Sequence, residues 1–203
     1  MSSLWFTADM HFGHANIALY CNRPYIKSGE VTEDRRWASA AAPGLVEERM
    51  REDLIRRWNE RVKPEDTVVH VGDFCNRGNN RGVPGVRLTP EEYESRLNGK
   101  IVFIYGNHDR NNGLKHVIDS AIMDVGKRSV FIRHRPIENP GDCPSSCEFV
   151  ICGHVHDNWK TKWVGGVLNI NVGIDANNLY PVRQDEVSGI YLRELRKLKG
   201  AKE

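Results

Sequence analysis

Hydrophobic residues along this chain fall into short uninterrupted runs and one longer stretch with helical spacing. The short runs are rich in β-branched and aromatic residues and are followed by Gly, Asn or Asp, a pattern typical of buried strands. Further strands are predicted at 121–125, 129–133, 167–172 and 189–194, and the tail from Glu186 also fits a helix. The five runs that lead into candidate functional residues are Leu4–Ala8, Thr67–Val71, Ile101–Tyr105, Val130–Ile132 and Phe149–Cys152.

Helical spacing is clearest between Leu45 and Val62, where apolar residues recur every three to four positions and charged residues occupy the other face. A second helix is predicted from the N-cap Thr89 through Leu97, and short helices are predicted at 15–20 and 112–119. Residues 12–44 otherwise show little periodicity. Long irregular loops in compact domains are usually functional, so we expect this one to border a site.

The order of these elements indicates the fold class. Strands alternate with helices in the first half, and strands dominate the second half. This order predicts an α/β fold in which two mixed β-sheets pack face to face and are flanked by helices, an α/β/β/α sandwich. A chain of 203 residues fits one domain, and we expect residues 1–203 to form it.

Composition adds few constraints. The 29 basic and 27 acidic residues give a formal charge of +2, which argues against a large surface for binding polyanions. No apolar run approaches the ~18 residues of a membrane span, so we predict no membrane partner. The five cysteines do not form a disulfide framework. We therefore expect a cytoplasmic protein, and the sequence favours no particular oligomeric state.

Oxygen and imidazole side chains follow the five predicted strands. Carboxylate, carboxamide and imidazole groups suit Mn, Fe, Zn or Mg. Ligands of open α/β sheets lie beyond the carboxyl ends of strands, so we expect these groups to form one site that holds a pair of divalent ions. The fragments are Asp9-Met10-His11, Gly72-Asp73, Gly106-Asn107-His108-Asp109, His134 and Gly153-His154-Val155-His156.

The spacing within two fragments favours shared cations. Asp9 and His11 are two positions apart, so after a strand they can project to the same side. His154 and His156 repeat this spacing behind Gly153, whose missing side chain permits close approach of the backbone. One such pair alone is more often a surface turn, whereas two matched pairs at two strand ends are much less ordinary.

The remaining fragments are informative only in combination. Asp73 could bridge two cations through its two oxygens, although an isolated aspartate in a turn more often bonds its own backbone. Asn107 is a neutral oxygen donor in what could equally be a hairpin turn. His108 could face a substrate, and His134 is the least certain ligand because a lone histidine is usually an ordinary polar residue.

In this order the fragments resemble the calcineurin-like metallophosphoesterase superfamily. Its pattern is Asp-x-His, Gly-Asp, Gly-Asn-His-Asp/Glu, a histidine closely followed by proline, and Gly-His-x-His. The resemblance spans residues 9–156, and segments 9–14, 21–24 and 171–175 are similar to a small prokaryotic or phage-type branch. It implies the same two-sheet sandwich. It further implies a first metal held by Asp9, His11 and His156, a second held by Asn107, His134 and His154, and a bridge at Asp73.

The resemblance also implies an activity. The chain would be a dinuclear-metal phosphoester hydrolase in which a metal-bridging hydroxide attacks phosphorus in line. His108 would act beside the scissile phosphate, with Asp109 orienting it. Mn or Fe is the first expectation for the two ions, with Zn, Ni, Co or Mg as alternatives. Arg23, Asn76 and Arg77 are candidates to hold a non-bridging phosphate oxygen, although each could equally be a surface residue.

Two departures from the pattern narrow the substrate class. Arg133 and Arg135 flank His134, where many members have a small or aromatic neighbour. The second aspartate common in protein phosphatases does not follow Gly72-Asp73, which argues against that activity. The expected partner is a phosphoester, with diesters ahead of monoesters and with nucleotides or nucleic acids included. A nuclease acting on DNA or RNA and a catalytically silent metal-binding module are the alternatives.

Overall fold

Two five-stranded sheets pack face to face in the computed structural model, which describes residues 2–76, 88–110 and 112–200. The first sheet has four parallel strands and one antiparallel edge strand. In spatial order its strands are β10 (Val182–Arg183), β1 (Leu4–Thr7), β2 (Thr67–Val71), β3 (Lys100–Ile104) and β4 (Val117–Ile118).

The second sheet has three parallel strands at its centre and an antiparallel strand at each edge. The parallel strands are β6, β7 and β9, so their carboxyl ends all point to the same end of this sheet. In spatial order the sheet contains β5 (Ser120–Val125), β6 (Arg128–Arg133), β7 (Phe149–Cys152), β9 (Val167–Asn171) and β8 (Thr161–Val164).

One hydrophobic core lies between the sheets. Alternate residues of each strand point into it, as the two-residue period of a strand requires. Tyr191 from the C-terminal helix α4 (Gln184–Gly200) also reaches this core and stacks on Phe149 with ring centroids 4.6 Å apart. The facing side chains include Phe6, Val69, Val71 and Ile104 from the first sheet and Val130, Ile132, Ile151, Leu168 and Ile170 from the second.

Helices cover the other face of the first sheet. The long helix α2 (Ala42–Arg61) buries Met50, Leu54 and Trp58 against strand residues of that sheet. Two short helices contribute to the same cluster of buried residues. They are α1 (Asn16–Tyr20) and α3 (Pro90–Glu94). Thr89 is the N-cap of α3, as the sequence predicts, and it forms a capping box with Glu92. The segment between β6 and β7 covers the other face of the second sheet.

The fold class predicted from the sequence is confirmed, but two predicted elements are wrong. The predicted strand at 189–194 belongs to helix α4, so the alternative of a helix from Glu186 is confirmed; Val187, Ile190 and Tyr191 recur at helical spacing and are buried together. The predicted helix at 112–119 is instead an irregular segment that ends in strand β4, which pairs with Phe103 and Ile104. Strands β8 and β10 were not predicted. No helix in the described part of the chain is long and apolar enough to cross a membrane.

Trp58 is the largest fully buried side chain of α2, and its indole Nε1 donates to the Asn98 carbonyl at 2.9 Å. We expect Trp58→Ala to lower the free energy of unfolding by about 3–5 kcal/mol, because it leaves a cavity and an unpaired carbonyl. Urea denaturation measures the change. Glu48→Ala, at an exposed position of the same helix, is the control and should change it by less than about 0.5 kcal/mol. Equal effects of the two substitutions would contradict the assigned packing.

Candidate metal centre

Loops from both sheets meet at one edge of the sandwich. Asp9, Asp73 and Asn107 follow the adjacent parallel strands β1, β2 and β3, whereas His134 and His154 follow β6 and β7. Backbone hydrogen bonds connect these loops within each sheet and across the two sheets. The Asp9 N–H donates to Gly72 O at 3.0 Å, Gly153 N–H to His134 O at 2.9 Å, and Ile174 N–H to Ala8 O at 3.1 Å. The predicted convergence of these loops therefore occurs.

The convergence brings the predicted ligands into two clusters. In the first, one oxygen or nitrogen from each of Asp9, His11 and His156 lies within 4.8 Å of the others. In the second, the same holds for Asp73, His134 and His154. The resemblance implies the same division, with Asp73 as the bridge between the ions and Asn107 as a further ligand of the second ion. The amide oxygen of Asn107 lies 3.1 Å from His134 Nε2 and completes the second cluster.

The Asp73 carboxylate lies between the two clusters. Its Oδ2 is 3.5 Å from His11 Nε2 and 3.3 Å from His134 Nε2. Its Oδ1 accepts a hydrogen bond from the His108 backbone N–H at 2.8 Å, which fixes the carboxylate plane. Burial raises the pKa of Asp73, but the nearby His134 and His11 outweigh it and hold the pKa below its ordinary value. One ionised oxygen therefore faces a histidine of each cluster.

Two of the histidines are oriented through their Nδ1 atoms. His134 Nδ1 lies 2.9 Å from the Val71 carbonyl, and His156 Nδ1 lies 2.8 Å from Asp175 Oδ2. Each contact fixes a proton on the Nδ1 atom of its histidine and leaves the Nε2 lone pair for a cation. Carboxylate–histidine and carbonyl–histidine pairs of this kind commonly support metal ligands.

The buried groups at the first cluster fit a cation. His11 is 1% exposed, and neither ring nitrogen has a hydrogen-bond partner among the described residues. Asp9 is fully buried. A Cβ added at Gly153 or Gly173 would lie 2.7 Å or 2.6 Å from Asp9 Oδ2, so both glycines are needed for the backbone to approach this carboxylate. Buried polar groups without partners are rare, and a divalent ion would satisfy these.

Five of the seven expected ligands have left-handed backbone conformations. Only ten non-glycine residues in the described part of the chain have positive φ angles. Such conformations cost of order 1–3 kcal/mol each and cluster at functional sites. Half of them fall on ligands, so the loops hold these side chains at an energetic cost. The five are Asp9 (φ 61°), His11 (51°), Asp73 (58°), His154 (73°) and His156 (49°).

Burial and the carboxylates shift the pKa values of the other ligands. Burial raises the pKa of Asp9 to about 6, lowers that of His154 to about 4, and lowers that of His11 well below its ordinary value. For His156, burial is outweighed by hydrogen bonds to Asp175 and Cys21, which raise its pKa to about 10. Without a cation, protons must therefore supply the positive charge that the buried carboxylates need.

The predicted catalytic role of Asp109 does not fit the structure. Its carboxylate is buried and accepts backbone N–H bonds from Asp73 at 2.8 Å, Phe74 at 3.0 Å and Gly106 at 2.8 Å. Asn112 Nδ2 donates a fourth bond at 2.9 Å. None of these four donors is the His108 imidazole. Asp109 therefore joins the Asp73 loop to the Asn107 loop and does not orient His108.

The predicted substrate-binding role of Arg23 also requires correction. Its side chain is 3% exposed, and its guanidinium forms a two-pronged ion pair with Asp175 at 2.8 and 2.9 Å. It also donates to the backbone carbonyls of Asp9 at 2.7 Å and Met10 at 3.0 Å. A guanidinium with these partners is not available to a phosphate. Arg23 instead ties the Asp9 loop to the carboxylate that supports His156.

Of the other predicted catalytic and substrate-binding residues, His108 and Asn76 lie near the centre. The His108 imidazole is exposed, and its ring centroid is 5.2 Å from that of His11, so it borders the centre. Asn76 is half-buried, and its backbone N–H donates to Phe12 O at 2.8 Å beside the Asp9 loop. Arg77 lies outside the described residues.

Three residues of the centre were assigned no role from the sequence. Asp175 supports His156, and Asn171 holds the His156 carbonyl through its Nδ2 at 2.8 Å. The His14 ring lies 5.7 Å from that of His11 and 6.5 Å from that of His108. His14 repeats the histidine of Asp9-Met10-His11 three positions later, which was a usable signal. Asn171 and Asp175 lie in segment 171–175, which carries part of the resemblance, but the resemblance assigns them no role.

Comparison with known proteins identifies relatives of this chain. Residues 50–183 match the family described as the calcineurin-like phosphoesterase superfamily domain. The chain is 31% identical over 193 residues to a Methanocaldococcus jannaschii protein named Uncharacterized protein MJ1445, covering 91% of this chain and 89% of the relative. It is 26% identical to the Gene 66 protein of Mycobacterium phage D29, covering 92% and 94%. The solved structure of AQ665 from Aquifex aeolicus, a protein of unknown function, has the same fold, with TM-score 0.62, 21% identity and coverage of 94% and 100%.

The corrected role of Asp109 predicts an effect on metal affinity. We expect Asp109→Asn to weaken divalent metal binding by about 10–100-fold, because the new amide group cannot accept all four hydrogen bonds that fix the Asp73 and Asn107 loops. Calorimetric titration with Mn²⁺ measures the affinity, and circular dichroism checks the fold. Asp124→Asn, at an exposed position of β5, is the matched control. An unchanged metal affinity with a slower reaction would return Asp109 to the catalytic group.

Proposed function

Because the chain belongs to the calcineurin-like phosphoesterase superfamily, a superfamily of metal-dependent phosphoesterases, we propose that its two ligand clusters hold two divalent ions and that it hydrolyses phosphodiesters. The observation that carries the dinuclear proposal is the position of Asp73 Oδ2, which faces His11 of one cluster and His134 of the other. An aspartate that served a single ion would not need to face both.

The proposed ligands divide as the clusters do. Asp9, His11 and His156 would hold the first ion, and the bridging carboxylate is that of Asp73. Oxygen and imidazole donors accept several divalent metals, so availability matters as much as affinity, and we propose Mn or Fe as the first ions to test. The ligands of the second ion would be Asn107, His134 and His154.

When bound, two divalent ions lower the pKa of water and stabilise negative charge on the phosphoryl group. The chain contributes position and proton transfer. Its loops fix seven donors from both sheets before any substrate arrives, which is preorganisation of the kind that lowers activation barriers. His108 borders the centre from an exposed position, so its imidazole can donate a hydrogen bond to a phosphoryl oxygen or a proton to the leaving alcohol.

The preference for diesters rests on the space around the second cluster. A phosphodiester carries two ester groups that must both extend away from the ions, whereas a monoester carries one. Cavities of about 470 Å³ and 870 Å³ open beside His134 and His154, with Arg133 and Arg135 lining both. This arrangement supports a substrate with two organic groups on one phosphate.

The activity is tested by a profile of metals against substrates. Purified protein, loaded in turn with Mn, Fe, Zn, Ni, Co and Mg, is incubated with a chromogenic diester, the matching monoester and a single-stranded oligonucleotide. We expect the diester to be hydrolysed faster than the monoester. Cleavage of the oligonucleotide alone would favour the nuclease alternative. Hydrolysis of none of them would favour a catalytically silent metal-binding module.

The bridging role of Asp73 predicts that bound metal and hydrolytic activity are lost together. We expect Asp73→Asn to lower the metal content from two ions per chain to one or none and to abolish hydrolysis, because a neutral amide cannot replace the anionic Oδ2 that faces both clusters. Elemental analysis of dialysed protein measures the content. Retention of both ions and of activity would refute the bridge.

The proposed role of His108 predicts that activity is lost while the bound metal is retained. We expect His108→Ala to lower kcat by about 10²–10⁴-fold while the metal content stays that of the parent, because the imidazole borders the ions without serving as a ligand. His116→Ala, which removes an exposed histidine outside the centre, should leave both unchanged. Loss of metal from the His108 variant would make His108 a ligand.

A further inference from the structure

A large cavity on the outer side of the second sheet opens directly onto the candidate metal centre. Its volume is about 870 Å³, within the range of small-molecule sites. We call it the tryptophan cavity, after Trp159. The residues of its lining on which the inference rests are Arg135, Glu138, Asp142, His154, Trp159 and Lys162.

His154 connects this cavity to the centre. Its imidazole belongs to the second ligand cluster, and it also lines the cavity. Arg135 Nη1 donates to His154 Nε2 at 3.2 Å, and the Arg135 side chain is exposed. A cation bound through His154 Nε2 would take the lone pair that now accepts this hydrogen bond, and the guanidinium would be released. Arg135 would then lie beside the ion, where a planar guanidinium can bind a phosphoryl oxygen.

Trp159 is fixed relative to the ligands. Its side chain is half-buried and packs against Ile137, Cys143, Val150 and Cys152. Its backbone carbonyl accepts a hydrogen bond from Asn171 Nδ2 at 2.9 Å, and the same amide group holds the carbonyl of His156 at 2.8 Å. One asparagine thus sets the position of the indole and of a metal ligand together.

The chemistry of the lining selects a class of ligand. An indole and a neighbouring cation suit a flat aromatic group attached to a phosphate, and base–aromatic stacking is a common source of affinity for nucleotides. Arg135 and Lys162 supply positive charge. Glu138 and Asp142 offer carboxylate oxygens in the same cavity, and such oxygens accept hydrogen bonds from the amino groups of nucleobases. An aliphatic ester group would use neither the indole nor the carboxylates.

We propose that the tryptophan cavity binds the nucleoside portion of a nucleotide phosphodiester, with Arg135 contacting its phosphoryl group. The inference rests on the proposed phosphodiesterase function for its catalytic part. The proposed binding of a nucleoside does not depend on catalytic activity, because the cavity is formed by the chain alone. The two parts are therefore tested by separate measurements.

The kinetic test compares two diesters with the same leaving group, the p-nitrophenyl ester of adenosine 5′-monophosphate and methyl p-nitrophenyl phosphate. We expect the parent protein to favour the nucleoside ester by about tenfold or more in kcat/KM. Trp159→Leu keeps apolar packing but removes the aromatic face, so it should abolish this preference with unchanged metal content. Trp159→Phe should retain most of it. Equal rates for both esters in the parent would overturn the proposal and leave the phosphodiesterase function intact.

The binding test uses metal-free protein and calorimetric titration with adenosine 5′-monophosphate, ribose 5-phosphate and inorganic phosphate. We expect the nucleotide to bind most tightly and Trp159→Leu to remove that advantage. If the parent hydrolyses neither diester, the proposed function fails, and this titration still decides the cavity. Equal affinity for ribose 5-phosphate and the nucleotide would assign the cavity to a sugar phosphate and overturn the proposal.

Arg135 is tested as the phosphate contact. We expect Arg135→Ala to raise KM for both diesters and to weaken inhibition of the metal-loaded enzyme by inorganic phosphate by about tenfold, with a smaller change in kcat. Arg135→Lys should restore part of the affinity, because charge remains but the planar fork is lost. Arg196→Ala, at an exposed position of α4, is the control. Unchanged phosphate inhibition in Arg135→Ala would remove Arg135 from the site.

Discussion

Hydrogen bonds between loops hold the ligand side chains in backbone conformations that they would not adopt alone. Asp109 is the clearest case, because one buried carboxylate accepts N–H bonds from Asp73, Phe74 and Gly106 and so joins two loops that carry ligands. Arg23 joins the Asp9 loop to Asp175 in the same way. These contacts over-determine the left-handed residues, which is the condition under which strained backbone persists at a functional site.

The same centre carries an electrostatic cost that a pair of cations would relieve. Asp9, Asp73 and Asp175 are all buried or nearly so, and burial of a carboxylate is unfavourable without positive charge nearby. In the chain alone, this charge comes from protonated histidines and from Arg23. Divalent ions at the two clusters would replace the histidine protons, so we expect metal binding to release protons and to stabilise the fold together.

Much of this centre was predictable because strand ends are strongly marked in the sequence. Strands β2 and β7 have the predicted bounds, and a ligand residue follows each of β1, β2, β3, β6 and β7 within three positions. The residues that hold the ligands were not predictable, because their partners are distant in sequence. Arg23 and Asp175 are 152 positions apart, and the backbone groups bonded by Asp109 include two that lie about 35 positions away. A motif identifies donors, but only the tertiary structure shows which carboxylate is placed to bind an ion and which one accepts hydrogen bonds from the backbone of a loop.

Anomalous diffraction from crystals grown with Mn²⁺ tests the dinuclear centre most directly. The proposal predicts two peaks about 3.5–4 Å apart, on either side of the Asp73 carboxylate, with His11 and His156 at one and His134 and His154 at the other. A single peak, or two peaks that do not share Asp73, would contradict it.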